Sequence, residues 1–236
     1  MSNKGLLYLI PSTLGEGGET FDVLPQKVKN VVNQTSHYIV ENEKAARRFL
    51  KKVGLETPIS EIQLYPLNKH TDSAVVTEYL KPATDGCNIG VISDAGCPGV
   101  ADPGAVIVNL AHQQDIKVIP LVGPSSIILA LMASGFNGQQ FAFNGYLPKE
   151  RGERIRKIKE LEKLAQTKKQ TQLFIETPYR NMHVMEDIIN TCSKNTKLCV
   201  ACNITLPSEF IKTKAIGNWK NAIPDLHKKP CIFLIY

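Results

Sequence analysis

Residues 91–108 read VISDAGCPGVADPGAVIV. An apolar run closes on Ser93 and Asp94, crosses three glycines and two prolines, and resumes as a second apolar run. Part of this is punctuation. Asp102-Pro103 reads as a helix N-cap followed by proline at the first helical position. Asp94, Ala95 and Gly96 are not explained that way, because a tight connection needs neither an acid nor so much exposed backbone. Gly96 permits a close turn, and Pro98 holds Cys97 extended. A polar, adaptable loop of this kind suits a small ligand carrying amine and hydroxyl groups. The stretch PLVGPSS (120–126) repeats the pattern. Ser125 and Ser126 set hydroxyls and backbone N–H groups at the positive end of a helix, which suits a carboxylate, although serine there is also an ordinary cap. LGEGGE (14–19) is glycine-rich, but its two acids would repel a pyrophosphate, and neither phosphate-binding fingerprint is present. A substrate-facing loop is the better reading. Cys199 and Cys202 form a CVAC spacing, yet no second pair completes four ligands, and KLCVACNI reads as a strand, so no metal site is expected.

These loops need a frame to hold them. GLLYLIP (5–11), HYIVE (37–41), NIGVISD (88–94) and KVIPLV (117–122) read as strands. PQKVKNVVNQ (25–34), EKAARRFLKKVG (43–54), GAVIVNLAHQQ (104–114) and SSIILALMASG (125–135) read as helices. Such alternation predicts an α/β fold with a parallel sheet covered on both faces. Ligands of such sheets sit outside the carboxyl ends of the strands. The loops of interest are therefore 11–20, 41–44, 67–72, 94–103 and 122–126. FAFNGYLPKERGER then leaves the first sheet for a long basic helix. TQLFIETP (171–178), a helix from Tyr179 to Cys192, KLCVACNI (197–204), FIKTKAIGNW (210–219) and PCIFLIY (230–236) complete a second, smaller sheet. Two lobes are expected, residues 1–142 and 143–236, each a parallel or mixed sheet flanked by helices.

The bulk numbers agree with a globular chain. Its 236 residues are 43% hydrophobic and 21% charged, ample for buried cores. The longest apolar run near the start has six residues, too short for a signal-peptide core, and nothing approaches a membrane span. A cytoplasmic location is the default expectation, and the scattered cysteines read as small buried hydrophobes. Of the net charge of +6, much lies between Lys149 and Lys169, where nine Lys or Arg face four Glu. Such a run is either a solvated helix face or a contact for something anionic, such as RNA or a carboxylate-rich substrate.

The order VISDAGCPGVADPG, VIPLVGPSS, FAFNGYLP, LFIETPYR resembles the tetrapyrrole methylase superfamily over nearly the whole chain. The nearest branch is the bacterial small-subunit ribosomal RNA ribose 2′-O-methyltransferases. The resemblance implies two α/β lobes, S-adenosylmethionine in the cleft between them, no metal, and a homodimer. It also implies roles. Pro11 would end the first strand near the cofactor. Ser93, Asp94, Ala95, Gly96 and Pro98 would hold its methionine or ribose portion, largely through backbone groups. Ser125 and Ser126 would line the site, and Thr177 with Asn203, Ile204 and Thr205 would cover the adenine.

Methyl transfer from a sulfonium is an in-line displacement, so the protein mainly aligns the reacting atoms and excludes water. A ribose hydroxyl is a poor nucleophile and needs a base. Glu41 is the candidate, at the carboxyl end of a strand, and Lys44 would orient a phosphate or support a developing oxyanion. Glu41 would equally complement the start of the following helix. The RNA branch carries A-E-D-T-R-H where this chain has VENEKA (40–45), and P-T-P-[IL]-G-N where it has Pro11-Ser12-Thr13-Leu14-Gly15-Glu16. Its R-E-L-T-K is replaced by Cys202-Asn203-Ile204-Thr205-Leu206. The donor motifs are thus kept while the acceptor loops differ. A methyltransferase of RNA, reached through the basic helix 149–169, is the leading expectation. A methyltransferase of a tetrapyrrole or corrin precursor and a non-catalytic binding relative are the alternatives.

Overall fold

A computed structural model describes residues 4–68, 71–220 and 222–236. Lys69 and His70, within the 67–72 loop singled out above, lie outside the described residues. The chain divides into two compact units, Met1–Ser125 and Ser126–Tyr236.

The first unit runs β1 (Leu7–Ile10), α1 (Gln26–Val32), β2 (His37–Val40), α2 (Glu43–Val53), β3 (Gln63–Pro66), α3 (Ser73–Glu78), α4 (Lys81–Thr84), β4 (Ile89–Ile92), α5 (Gly104–Gln113) and β5 (Val118–Pro120). Its strands form one five-stranded sheet in the order β3-β2-β4-β1-β5, all parallel. Alternation along the strands feeds two cores. Leu7, Ile39, Ile89 and Val91 pack with Val76, Leu80, Ile107 and Ala111 on one face. Ile10, Tyr38, Val40 and Ile92 pack with Val28, Val32, Ala46 and Leu50 on the other. The inner strands β1, β2 and β4 are covered on both faces by helices, as their unbroken apolar runs require, while the edge strands β3 and β5 are partly exposed. Helix α2 is closed at both ends as its sequence dictates. Asn42 accepts the Ala45 N–H at 3.1 Å, and Gly54 ends the helix at φ 90°.

The second unit contains α6 (Ser126–Ser134), β6 (Phe141–Tyr146), α7 (Arg151–Lys168), β7 (Thr171–Ile175), α8 (Asn181–Thr191), β8 (Lys197–Cys202), β9 (Phe210–Ala215) and β10 (Cys231–Ile235). Its sheet is mixed, in the order β6-β7-β10-β8-β9, with only β6 and β7 parallel. Helices α7 and α8 bury Ile158, Leu161, Val184 and Ile188 against Phe174, Val200 and Phe233.

Three local expectations are corrected. The second sheet is not the smaller one, since both have five strands. FAFNGY is not a linker but the edge strand β6, disguised by a register shift between Phe143 and Tyr146 where Gly145 takes φ 63°. Helix α5 begins at Gly104 with Pro103 as its cap residue, so Asp102 lies one position earlier than expected. Asp102 still does a cap's work: its Oδ1 accepts the N–H groups of Gly99 (2.7 Å) and Gly104 (2.8 Å).

Candidate functional site

Parallel pairing sets the carboxyl ends of the first unit's strands level. Ile10 and Val40 both pair with Ile92, and Leu9 pairs with Pro120. Pro11, Glu41, Ser93 and Leu121 therefore leave the same edge of the sheet side by side. Val40 also pairs with Pro66, so Leu67 leaves there too, and all five loops expected to carry chemistry begin at this edge.

The loops are bonded into one wall. Ser12 N–H donates to the Gly96 carbonyl at 2.9 Å, and Ser12 Oγ donates to the Ser93 carbonyl at 3.1 Å. Cys97 Sγ lies 3.4 Å from the Pro124 carbonyl. Gly96 stands at φ 76°, and a Cβ there would sit 3.2 Å from Leu14 Cδ2 and 3.3 Å from the Pro124 carbonyl oxygen. The turn thus needs glycine twice over, for its backbone sign and for the closeness of two neighbouring loops. Gly123 has the tighter fit, since a Cβ would fall 2.2 Å from Pro11 Cβ. With these positions buried, the turn presents Asp94 and Ala95 to solvent, while Ser93, Gly96 and Pro98 lie beneath. That answers the question the motif raises: the acid and the backbone of 94–95 form the exposed lip of a rigid strand-end wall.

Glu41 stands beside this lip. Its half-buried carboxylate accepts the Asp94 backbone N–H, and Asp102 and Asp94 both face it. Burial first, then these two carboxylates, push the Glu41 carboxyl above the ordinary carboxylate range, against the opposing effect of the Asp94 N–H. Burial likewise raises Asp94 and Asp102, the latter opposed by the N–H groups of Gly99 and Gly104 and by the Ser93 hydroxyl. Three crowded carboxyls with raised proton affinity are better proton acceptors than ordinary surface carboxylates. Lys44, by contrast, is exposed on the first turn of α2.

A pocket of about 340 Å³ opens next to the same lip. Ser12, Thr13 and Gly15 wall it on one side, and Asn42, Ala45, Arg48, Phe49 and Lys52 of α2 and its cap on the other. Ile92, Ser93 and Asp94 border both. Its size falls within the range of about 300–1,000 Å³ typical of small-ligand sites. Arg48, Phe49 and Lys52 were not singled out from the sequence. The signal was present as Lys44, Arg48 and Lys52 at i, i+4 and i+8, one face of a helix.

In the second unit, register again brings expected residues to one edge. Ile175 pairs with Ile232, and Cys202 pairs with Cys231, so Thr177 and Asn203–Thr205 leave the sheet at the same end of β10, one on each flank. Asn203 and Thr205 hold left-handed φ values of 51° and 69°. Asn203 Nδ2 donates to Ser208 Oγ at 2.9 Å, and Thr205 N–H donates to Glu209 Oε2 at 2.7 Å. Asn203 and Ile204 are buried and Thr177 is exposed. Next to Thr177, Arg180 is committed to the buried Glu176 carboxylate, which also accepts the Thr177 N–H. Ser126 opens α6.

The basic stretch 149–169 forms α7 with its flanks, but not all its charge faces outward. Arg154, with 7% of its side chain exposed, donates to Asp187 Oδ2 at 2.8 Å from both Nε and Nη2, and to the Lys149 carbonyl at 2.7 Å. Arg151 donates to Asp187 Oδ1 at 2.9 Å. Lys159, Lys163 and Lys168 remain exposed. No described helix is long and apolar enough to cross a membrane.

No family model matches the chain. Among curated proteins it is 29% identical over 238 aligned positions to "Ribosomal RNA small subunit methyltransferase I" of Buchnera aphidicola subsp. Schizaphis graminum, covering 100% of this chain and 79% of that protein. It is 27% identical over 207 positions to the protein so named in Vibrio cholerae serotype O1, covering 88% and 67% of the two chains. Among solved structures it resembles the methyltransferase CobJ, with a TM-score of 0.64 at 16% identity over 98% of this chain and 93% of that one. Cobalt precorrin-4 methyltransferase CbiF gives a TM-score of 0.61 at 17% identity over 97% and 93%. At such identities these two structures establish a shared fold.

Proposed function

We propose that this chain is a member of the tetrapyrrole methylase superfamily, an S-adenosylmethionine-dependent methyltransferase that methylates a ribose 2′-hydroxyl of small-subunit ribosomal RNA. The observation that carries the reading is the strand-end row of Pro11, Glu41 and Ser93, in a chain whose curated relatives bear an RNA methyltransferase's name. A base beside a rigid lip that exposes a carboxylate is what methylation of an alcohol needs.

The residues present fit the methyl donor. In the first unit we assign to it Pro11, Ser93, Asp94, Ala95, Gly96, Pro98 and Ser125. The exposed Asp94 carboxylate and the 94–95 backbone meet amine and hydroxyl groups. In the second unit we assign Ser126, Thr177, Asn203, Ile204 and Thr205, with the N–H groups that open α6 suited to a carboxylate. When bound, S-adenosylmethionine supplies a methyl group on a sulfonium, chemistry that calls for no metal. Glu41 accepts the proton of the acceptor hydroxyl as its oxygen attacks, and the Asp94 N–H keeps the carboxylate oriented. Lys44 meets a phosphate of the acceptor strand. The exposed lysines of α7 add a sequence-independent attraction to RNA. The chain acts as a homodimer in the cytoplasm. Exposed apolar groups on α6 (Met132) and on the edge strand β6 (Phe141, Tyr146) support association with a second copy.

The deciding experiment incubates the purified protein with radiolabelled S-adenosylmethionine and RNA lacking modification, and maps the label. Label on a ribose of small-subunit ribosomal RNA is expected. Label only on a tetrapyrrole precursor, or on nothing, would overturn the reading.

The donor site has its own test. S-adenosylhomocysteine is expected to raise the melting temperature of the native protein, as any ligand selective for the folded state must. Gly96→Val should remove that increment, since the side chain displaces Leu14 or the 123–124 loop and strains a left-handed residue. An undiminished increment in the variant would separate the 94–96 turn from the donor.

A further inference from the structure

We propose that the pocket between α2 and the Ser12–Gly18 loop seats one nucleotide of the acceptor RNA, with Arg48 and Lys52 on its phosphates and Phe49 beside its base. This deepens the reading above and rests on it.

Four observations carry the inference. The pocket, of about 340 Å³, has the size of a small-ligand site and a divided chemistry. Phe49, Ala45 and Ile92 offer an apolar wall, Ser12 and Thr13 offer hydroxyls, and the cations stand on α2. That division matches a nucleotide, whose base has an apolar face, whose ribose has hydroxyls and whose phosphates are anionic. Stacking on an aromatic ring and ion pairing to phosphate are the usual means of holding an unpaired nucleotide.

The cations also form a row. Lys44, Arg48 and Lys52 follow one face of α2 over about 12 Å at 1.5 Å per residue. Five Lys or Arg stand on this helix against Glu43 alone, and Glu43 is engaged by Arg47 at 3.0 Å. A row that continues to Lys44, outside the pocket lining, fits a polyanionic strand running past it better than one compact carboxylated molecule.

The present partners of the two rim cations are weak. Arg48 meets Glu16 at 3.5 Å with 64% and 87% of the two side chains exposed, and Lys52 Nζ donates to the Gly18 carbonyl at 2.9 Å. An exposed pair of this geometry contributes little. A phosphate arriving at Arg48 takes the place that the Glu16 carboxylate holds. Glu16 thus stands at the pocket rim as a like charge that the RNA meets beside Arg48.

Finally, Ser93 and Asp94 border the pocket and belong to the turn assigned to the methyl donor. A nucleotide seated here lies against that turn on one side and against Asn42, the residue after Glu41, on the other.

The test uses the full chain, unmodified small-subunit ribosomal RNA made by transcription, and S-adenosylhomocysteine as the folding control. The double variant Arg48→Glu/Lys52→Glu is expected to lose about tenfold or more in RNA affinity and to lower the slope of log K against log salt by about two. Methyl transfer to RNA should fall with it, while the thermal increment from S-adenosylhomocysteine stays. Glu16→Gln is expected to bind RNA more tightly than the native chain. If the double variant unfolds, Arg48→Gln/Lys52→Gln replaces it with the same expected direction. Native RNA binding and methylation in a folded double variant would overturn the inference and leave the proposed function standing. So would a Glu16→Gln variant that binds RNA more weakly. A native chain inert toward RNA, whose methylation of a carboxylated tetrapyrrole is lost in the double variant, would overturn both.

Discussion

Replacing Glu41 by Gln is expected to lower kcat for methyl transfer about 100-fold or more, the usual size of a lost general base, while S-adenosylhomocysteine still raises the melting temperature. The split follows from geometry. Glu41 meets the donor turn at the Asp94 backbone N–H, and an amide oxygen at the same place accepts that bond equally well. What the amide cannot do is take a proton. The pH profile gives a second reading. Burial and the neighbouring Asp102 and Asp94 carboxylates raise the Glu41 carboxyl above its ordinary value of 4.5. Native kcat/KM should therefore climb tenfold per pH unit through that raised pKa and then level, and the climb should vanish in the variant. Stability moves the opposite way. The folded state holds this proton more tightly than the unfolded chain, so stability is lost as pH rises from the ordinary carboxylate value through the raised pKa and is constant above it. Glu41→Gln is expected to melt higher than the native chain at neutral pH, with the difference fading as pH falls below the ordinary carboxylate range. Retained activity with a native pH profile would show that Glu41 is not the base.

The second large effect belongs to the other unit. Asp187→Ala is expected to destabilise the Ser126–Tyr236 unit by about 3–5 kcal/mol, because it leaves a buried guanidinium without its counter-charge. Asp187 has 3% of its side chain exposed and satisfies Arg154, itself 7% exposed, with Oδ2, and Arg151 with Oδ1. Two controls make the result specific. Arg151→Ala, at a side chain 65% exposed, should cost less than about 1 kcal/mol. Asp187→Asn, which keeps the shape and one acceptor, should fall between the two. Denaturant unfolding followed by Trp219 fluorescence reports the unit directly, since that indole is buried in its core. A loss below 1 kcal/mol in Asp187→Ala would mean that Arg154 finds other partners. The prediction also divides the basic stretch by role: Arg154 secures α7 to α8, and attraction to RNA falls to lysines such as 159 and 163.

How much of this was written in the chain can be judged from particular residues. The strands β1, β2 and β4 were legible because they lie inside the sheet and so read as apolar runs, and the edge strand β5 was legible from its β-branched residues. The 93–98 turn was legible because a left-handed residue pressed by two loops admits little but glycine, and so leaves a mark at Gly96. Strand β3 was not, since an edge strand with exposed ends carries no alternation to read. Strand β6 was hidden by its register shift, and the partner layer of α6 by a helix apolar nearly all round. By itself, then, the sequence determined the α/β alternation, the strand ends that bear chemistry and the donor motif, because backbone sign, chain punctuation and burial are local demands that residue types answer. Only the tertiary structure decided that Glu41 takes the Asp94 N–H among three carboxyls, that Arg48, Phe49 and Lys52 turn toward a pocket, and that Arg154 is spent on Asp187. Those pairings join residues dozens of positions apart, and parallel strand register and helix packing, which no local pattern encodes, set which of them meet.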